Sequence, residues 1–135
     1  MYLLKAAIPD PEACVLVFTA QKTMYGGKHV AVGDTVYLIA SEHEGGSGLV
    51  ARGVVTATAP CPRRPDCDRQ TPRVDLTVQV TARAQQPLGR AQLKPFTAWD
   101  DGQPETELNF KCYRQATNKL VGLSPAAAAF LVQFF

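Results

Sequence analysis

The chain has 135 residues, enough for one domain to bury a core without metal or disulfide staples, and we expect a single domain over 1–135. Fourteen basic against twelve acidic residues leave a net charge of +2, which excludes the broad basic field of a protein that grips duplex DNA without specificity. Apolar residues make up 46% of the chain, yet glycine, proline and charge break them into runs far shorter than the roughly 20 residues of a membrane-spanning helix.

In chain order, Tyr2 to Ile8 reads as a short apolar strand that stops at Pro9-Asp10-Pro11, where backbone donors are missing. The segment is too short for the core of a signal peptide, so a cytoplasmic location is expected, and with it reduced cysteines. Val15 to Phe18 is β-branched and aromatic enough for a second strand, although residues 11–18 also fit a short helix with Pro11 in its first turn. The polar, glycine-containing stretch from Thr19 to Lys28 reads as a loop.

Val32-Gly33-Asp34 turns into the strand Thr35 to Ala40, and Gly45-Gly46-Ser47-Gly48 is the next turn. Leu49 to Ala59 then returns antiparallel to that strand in a long hairpin, with a bend or bulge expected at Arg52-Gly53. Residues 60–72 are too rich in proline and charge for a regular element and form an excursion. Val74, Leu76, Val78 and Val80 alternate with Asp75, Thr77, Gln79 and Thr81, the period-two pattern of a strand wet on one face. Ser124-Pro125 followed by four alanines, Phe130, Leu131 and Phe134 reads as an N-capped helix that lays its apolar stripe on the sheet. This order favours an α+β curled sheet or small barrel over a doubly wound parallel sheet.

Little in the sequence supports metal or catalytic chemistry. Cys61 and Cys67 lie in an arginine-rich loop without a second ligand pair, and only His29 and His43 remain as partners. His43, between Glu42 and Glu44 at a hairpin end, reads as solvated. No nucleophile elbow or glycine-rich phosphate loop is present. The expectation is therefore no cofactor, no metal and no catalytic residue. Aromatic residues near amides and cations stand out instead: Phe18 and Tyr25 about Lys22-Thr23, Phe96 and Trp99 in a later loop, and Tyr113 beside Arg114-Gln115. Such rings stack on bases while amides and hydroxyls read base edges. Most aromatics in a domain of this size are core, and Trp99, beside Asp100-Asp101-Gly102, departs furthest from that expectation.

Four segments carry a resemblance: Gln21 to Tyr25, Val32 to Leu38, Gly48 to Val55, and Tyr113-Arg114-Gln115 through Asn118 to Leu123. In this order they resemble the EVE-like branch of the PUA-like superfamily, over nearly the whole chain. The resemblance implies a curled β-barrel with short surrounding helices and a C-terminal helix, and a non-catalytic nucleic-acid-binding module with an aromatic-lined pocket for a modified nucleobase, as in related YTH and EVE domains.

By position it assigns Gln21, Lys22, Thr23, Tyr25, Ser41, Trp99 and Gln115 to the pocket, with Lys28 and Arg114 as phosphate contacts. The chain departs from the pattern at Tyr2-Leu3-Leu4, where many relatives carry tryptophan, in the loop Gln21 to Lys28, and by the excursion Cys61 to Pro72. The sibling ASCH domains place lysine, threonine and glutamate in a comparable loop, and some hydrolyse acylated nucleosides. Lys22-Thr23 match, but Met24 or Tyr25 stands at the glutamate position. A nucleoside amidohydrolase is thus the alternative, and a protein-partner domain using Arg63, Arg64 and Arg69 a further one.

Overall fold

The computed structural model describes residues 1–62, 71–115 and 117–135. Its strands are β1 (Tyr2–Ala6), β2 (Val15–Met24), β3 (Thr35–Ala40), β4 (Gly48–Pro60), β5 (Arg73–Arg83) and β6 (Lys119–Gly122). Its helices are α1 (Arg90–Leu93), α2 (Pro104–Cys112) and α3 (Pro125–Val132). The strands close into a barrel in the order β1-β3-β4-β5-β2-β6, with β1/β3 and β2/β6 parallel and the other four pairs antiparallel. This is the curled α+β barrel expected from the sequence. No helix of the described residues is long and apolar enough to cross a membrane.

Because side chains alternate along a strand, β1 serves two cores. Leu4 and Ala6 point into the barrel with Phe18, Val36, Leu38 and Leu120. Leu3 points outward to Tyr37, Ile39 and Val121, and the helices cover that face with Leu93, Leu108 and Leu131. Burial on both faces explains why β1 and β3 read as continuous apolar runs, whereas β5, bare outside, keeps its strict alternation.

The β3/β4 hairpin and the register shift at Arg52-Gly53 are as expected. Gly48 begins β4 at φ 91°, where a Cβ would lie 2.4 Å from the Leu88 carbonyl oxygen, so both the backbone angle and the close approach require glycine. The stretch from Thr19 to Met24 corrects the sequence reading: it is not loop but the second half of β2, which passes from β5 to β6. Its polar composition hides a strand whose register shifts between Phe18 and Gln21. Short helical turns at Gly27–His29 and Glu42–Glu44, and helices α1 and α2, also escape the sequence reading. The α2 signals are present in the sequence: Pro104 at the start, Glu105 and Glu107 in the first turn, Lys111 in the last.

Ser124 caps α3 by accepting from the Ala127 amide at 3.1 Å, and its own hydroxyl and amide donate to the Glu107 carboxylate of α2. Burial would raise the Glu107 pKa, but the hydrogen bonds from Ser124 and Lys111 outweigh it and hold the carboxyl below its ordinary range. Ser124→Ala removes the cap and a charge-assisted bond together. Urea unfolding is expected to show a loss of about 1–3 kcal/mol, and no loss would mean that the cap is redundant.

Candidate functional site

β1 and β3 run parallel, so their C-terminal ends lie side by side, and the Ser41 amide donates to the Ala6 carbonyl at 2.9 Å. A polar cluster assembles around this point. Lys5 and Lys119 face each other in the register of β1 and β6, 1% and 2% exposed. The odd-numbered face of β1 looks outward toward the helices, so the Lys5 ammonium meets the end of α2. There it donates to the Cys112 carbonyl at 3.1 Å and stands 4.9 Å from the centre of the Tyr113 ring.

Glu42 ties the cluster together. Its carboxylate accepts the Arg90 amide at 2.7 Å and the Tyr113 hydroxyl at 3.0 and 3.1 Å. Next to it, Asn118 donates to Glu44 at 3.1 Å, which binds the segment before β6 to the turn after β3.

Burial sets the protonation behaviour. Desolvation lowers the pKa of Lys5 against the attraction of Glu42, and lowers that of Lys119, where the nearby charges of Lys5 and Lys22 act in the same direction. Burial and the adjacent Glu42 carboxylate raise Tyr113, so its hydroxyl remains a donor. Burial pushes the Cys112 thiol up to about 12, leaving it neutral at physiological pH and unable to balance the lysines.

One buried side-chain group in this cluster is not satisfied among the described residues. The Ser41 hydroxyl, on a residue 1% exposed, has no hydrogen-bond partner among the described residues. Buried polar groups are nearly always paired, so an unpaired buried hydroxyl calls for an explanation.

The expected site residues fall into separate groups. Ser41 lies in the cluster, and Lys22 stands near it beside Lys119. Tyr25, Trp99 and Arg114 gather instead on α2. Tyr25 and Trp99 pack on Phe110 with ring centres 5.8 and 5.6 Å away, and the Arg114 guanidinium lies 4.8 Å from Phe110 and 5.8 Å from Trp99. No hydrogen bond or ring contact joins this aromatic group to the Ser41 cluster among the described residues. Trp99 is 43% exposed and, with Phe110, Gln103 and Thr106, borders a shallow groove of about 210 Å³.

Gln115 is exposed beyond Arg114, and Lys28 is exposed in the turn Gly27–His29. The Gln21 amide donates to Thr19 O, and the Thr23 hydroxyl donates to Pro72 O at 2.7 Å. Cys67, Arg63, Arg64 and Arg69 lie outside the described residues. Among the described residues, no three His, Cys, Asp or Glu side chains converge in a way that could hold a metal ion.

Lys5, Glu42 and Lys119 are missing from the sequence-based set. Lysine and glutamate are by default surface residues, and only the order of strands around the barrel brings these three inside.

No protein-family model matches the chain, and no curated protein is significantly similar to it in sequence. Solved structures share its fold. The DUF55 domain of human thymocyte nuclear protein 1 superposes with a TM-score of 0.64 at 12% identity, over 98% of this chain and 96% of that one. Human THYN1 protein in complex with DNA containing 5-methylcytosine gives 0.65 at 11% identity, over 98% and 95%. A protein of Pseudomonas syringae gives 0.58 at 14% identity, over 99% of both chains.

Proposed function

We propose that this chain is a nucleic-acid-binding module, and that the cluster of Lys5, Ser41, Glu42, Tyr113 and Lys119 accepts a nucleobase drawn out of its stack. The carrying observation is the buried Ser41 hydroxyl without a partner at the end of β3, where β1 brings the buried Lys5 and, opposite it, the buried Lys119. A base edge presents both donors and acceptors, which such a hydroxyl and ammonium can satisfy, and the Tyr113 ring supplies an aromatic surface at the same place. The Glu42 carboxylate, already accepting two hydrogen bonds, keeps acceptor capacity for an exocyclic amine.

A structural neighbour has been solved with DNA containing 5-methylcytosine, which makes that modified base the first ligand to test. The reading is one of binding rather than turnover, and it needs no cofactor. The Thr23 hydroxyl, which a nucleoside amidohydrolase would use beside Lys22, is committed to the Pro72 carbonyl. A carboxylate general acid would have to come from elsewhere.

The test is calorimetric titration and thermal shift with plain and modified nucleosides, 5-methyl-2′-deoxycytidine among them, on the wild type and on Ser41→Ala. The variant removes an unpaired buried hydroxyl, so the melting temperature is expected to stay level or rise slightly. Binding is expected to weaken by about 1–3 kcal/mol, because the base loses its partner. Silence of the wild type across the panel, or equal binding by the variant, would remove the base from this cluster.

A further inference from the structure

The strand registers line up four cations across neighbouring strands. Lys5 pairs with Lys119 across β1 and β6. Thr23 pairs with Leu120 in the parallel β6/β2 ladder, which sets Lys22 level with Lys119, and Lys22 pairs with Arg73 across β2 and β5. Residues paired in register point to the same side of a sheet, so the four form one row across β1-β6-β2-β5 on the outer face. Exposure grows along it: Lys5 and Lys119 are buried, Lys22 is half-buried and Arg73 is exposed.

In a chain with a net charge of only +2, such a row is a local concentration of positive charge. Two carboxylates stand near it. Glu42 lies near Lys5 at the buried end, and Asp75 lies at the exposed end, where it accepts the Ala20 amide at 2.7 Å and the Cys61 thiol at 3.4 Å.

The backbone beneath the exposed half is held in a strained state. Ala20 has φ 52°, a left-handed conformation unusual for a residue with a Cβ, and sits where the β2/β5 register shifts. β5 clamps it from both sides: Asp75 accepts its amide, and the Arg73 guanidinium donates to its carbonyl at 2.7 Å. Strain of this kind persists only when the surroundings impose it, and bulges re-aim the side chains that follow, here Gln21 and Lys22. Arg73 uses one N–H of its fork on Ala20, which leaves others for a ligand.

We propose that Lys22 and Arg73 form a phosphate track, holding the backbone that flanks a base bound in the buried cluster, so that a nucleic-acid strand leaves the cluster across β6, β2 and β5. The proposal rests on the base-binding reading above. Neighbouring strands stand about 4.8 Å apart, so Lys22 and Arg73 together span one or two phosphates beyond the base. Their contribution is independent of sequence and strongly dependent on salt.

The experiment compares two probes, 5-methyl-2′-deoxycytidine and a short single-stranded DNA with one central 5-methylcytosine, over a series of salt concentrations. The proteins are the wild type, Lys22→Gln and Lys22→Glu, each checked for an unchanged melting temperature. Lys22→Gln is expected to weaken the oligonucleotide roughly threefold to tenfold at low salt and to flatten its log K against log salt slope by about 0.7. Lys22→Glu is expected to weaken it further, and in both variants the loss is expected to be several-fold larger for the oligonucleotide than for the free nucleoside.

An unchanged slope and affinity for the oligonucleotide overturns the track, as does an equal loss with the free nucleoside, which would place Lys22 in the base site. A wild type that binds the nucleoside but gains nothing from the flanking strand also overturns it, with the base-binding reading intact. A wild type that binds neither probe overturns both.

Discussion

Lys119→Met is expected to stabilise the protein by about 1–3 kcal/mol and at the same time to reduce nucleobase binding by more than tenfold. The side chain is 2% exposed, with Lys5 opposite it in the strand register and Lys22 beside it. An ammonium taken out of water costs several kcal/mol unless partners repay it, and here the neighbouring charges are of like sign. Methionine keeps most of the length and the apolar stem while removing the charge, so packing against β1 and β2 survives.

The gain should appear as a melting temperature several degrees higher at neutral pH, and the loss in a calorimetric titration with 5-methyl-2′-deoxycytidine. Gain of stability with loss of function is what separates a binding cation from a structural one. A variant less stable than the wild type would show Lys119 to be structural, and would take the ammonium away from the base-binding reading.

The second large effect concerns alkali. The Cys112 thiol, fully buried, is raised from 9.0 to about 12, chiefly by desolvation of the thiolate. For an acid whose folded pKa lies above its unfolded value, the stabilisation is complete below the unfolded value and disappears as pH rises through the folded one. The window is therefore about pH 9 to 12, and the amount at stake is about 4 kcal/mol.

Tyr113, also raised, adds a loss of the same sign above its ordinary value. Lys5 and Lys119, both lowered, act oppositely, because their buried charges are relieved as pH climbs toward 10.5. Comparison with Cys112→Ala isolates the thiol. Urea unfolding from about pH 8 to about pH 11 should show the wild type losing stability faster than the variant, so that their difference shrinks or reverses. Parallel curves would mean that the thiolate is accommodated in the folded state.

Several elements were legible from their residues. The alternation from Val74 to Val80, the turn at Gly33-Asp34 into β3, and the Ser124-Pro125 start of α3 are each decided by local chemistry that tertiary structure does not override. Helix α2 was equally legible in principle, since Pro104, the acids of its first turn and Lys111 in its last are ordinary end signals. The second half of β2 was not. Thr19-Ala20-Gln21-Lys22 has the composition of a loop, and it is strand because β5 and β6 supply its backbone partners and because Arg73 and Asp75 hold the bulge at Ala20.

The candidate site divides in the same way. The sequence by itself determined the residue types of a barrel with a two-sided apolar wall, the capped helix that covers its outer face, and the supply of aromatic, amide and basic groups. Its segments also resembled a fold that the solved structures share. Only the tertiary structure decided which of those groups meet. Closing the ring as β1-β3-β4-β5-β2-β6 puts Lys5 opposite Lys119, 114 positions along the sequence, and carries Lys22 and Arg73 into the same row. It also gathers Tyr25, Trp99 and Arg114 on α2, away from Ser41. The reason is physical: local propensity and periodicity act over a few residues, whereas the burial of a charge depends on which distant strand lies beside it, and that follows from barrel closure.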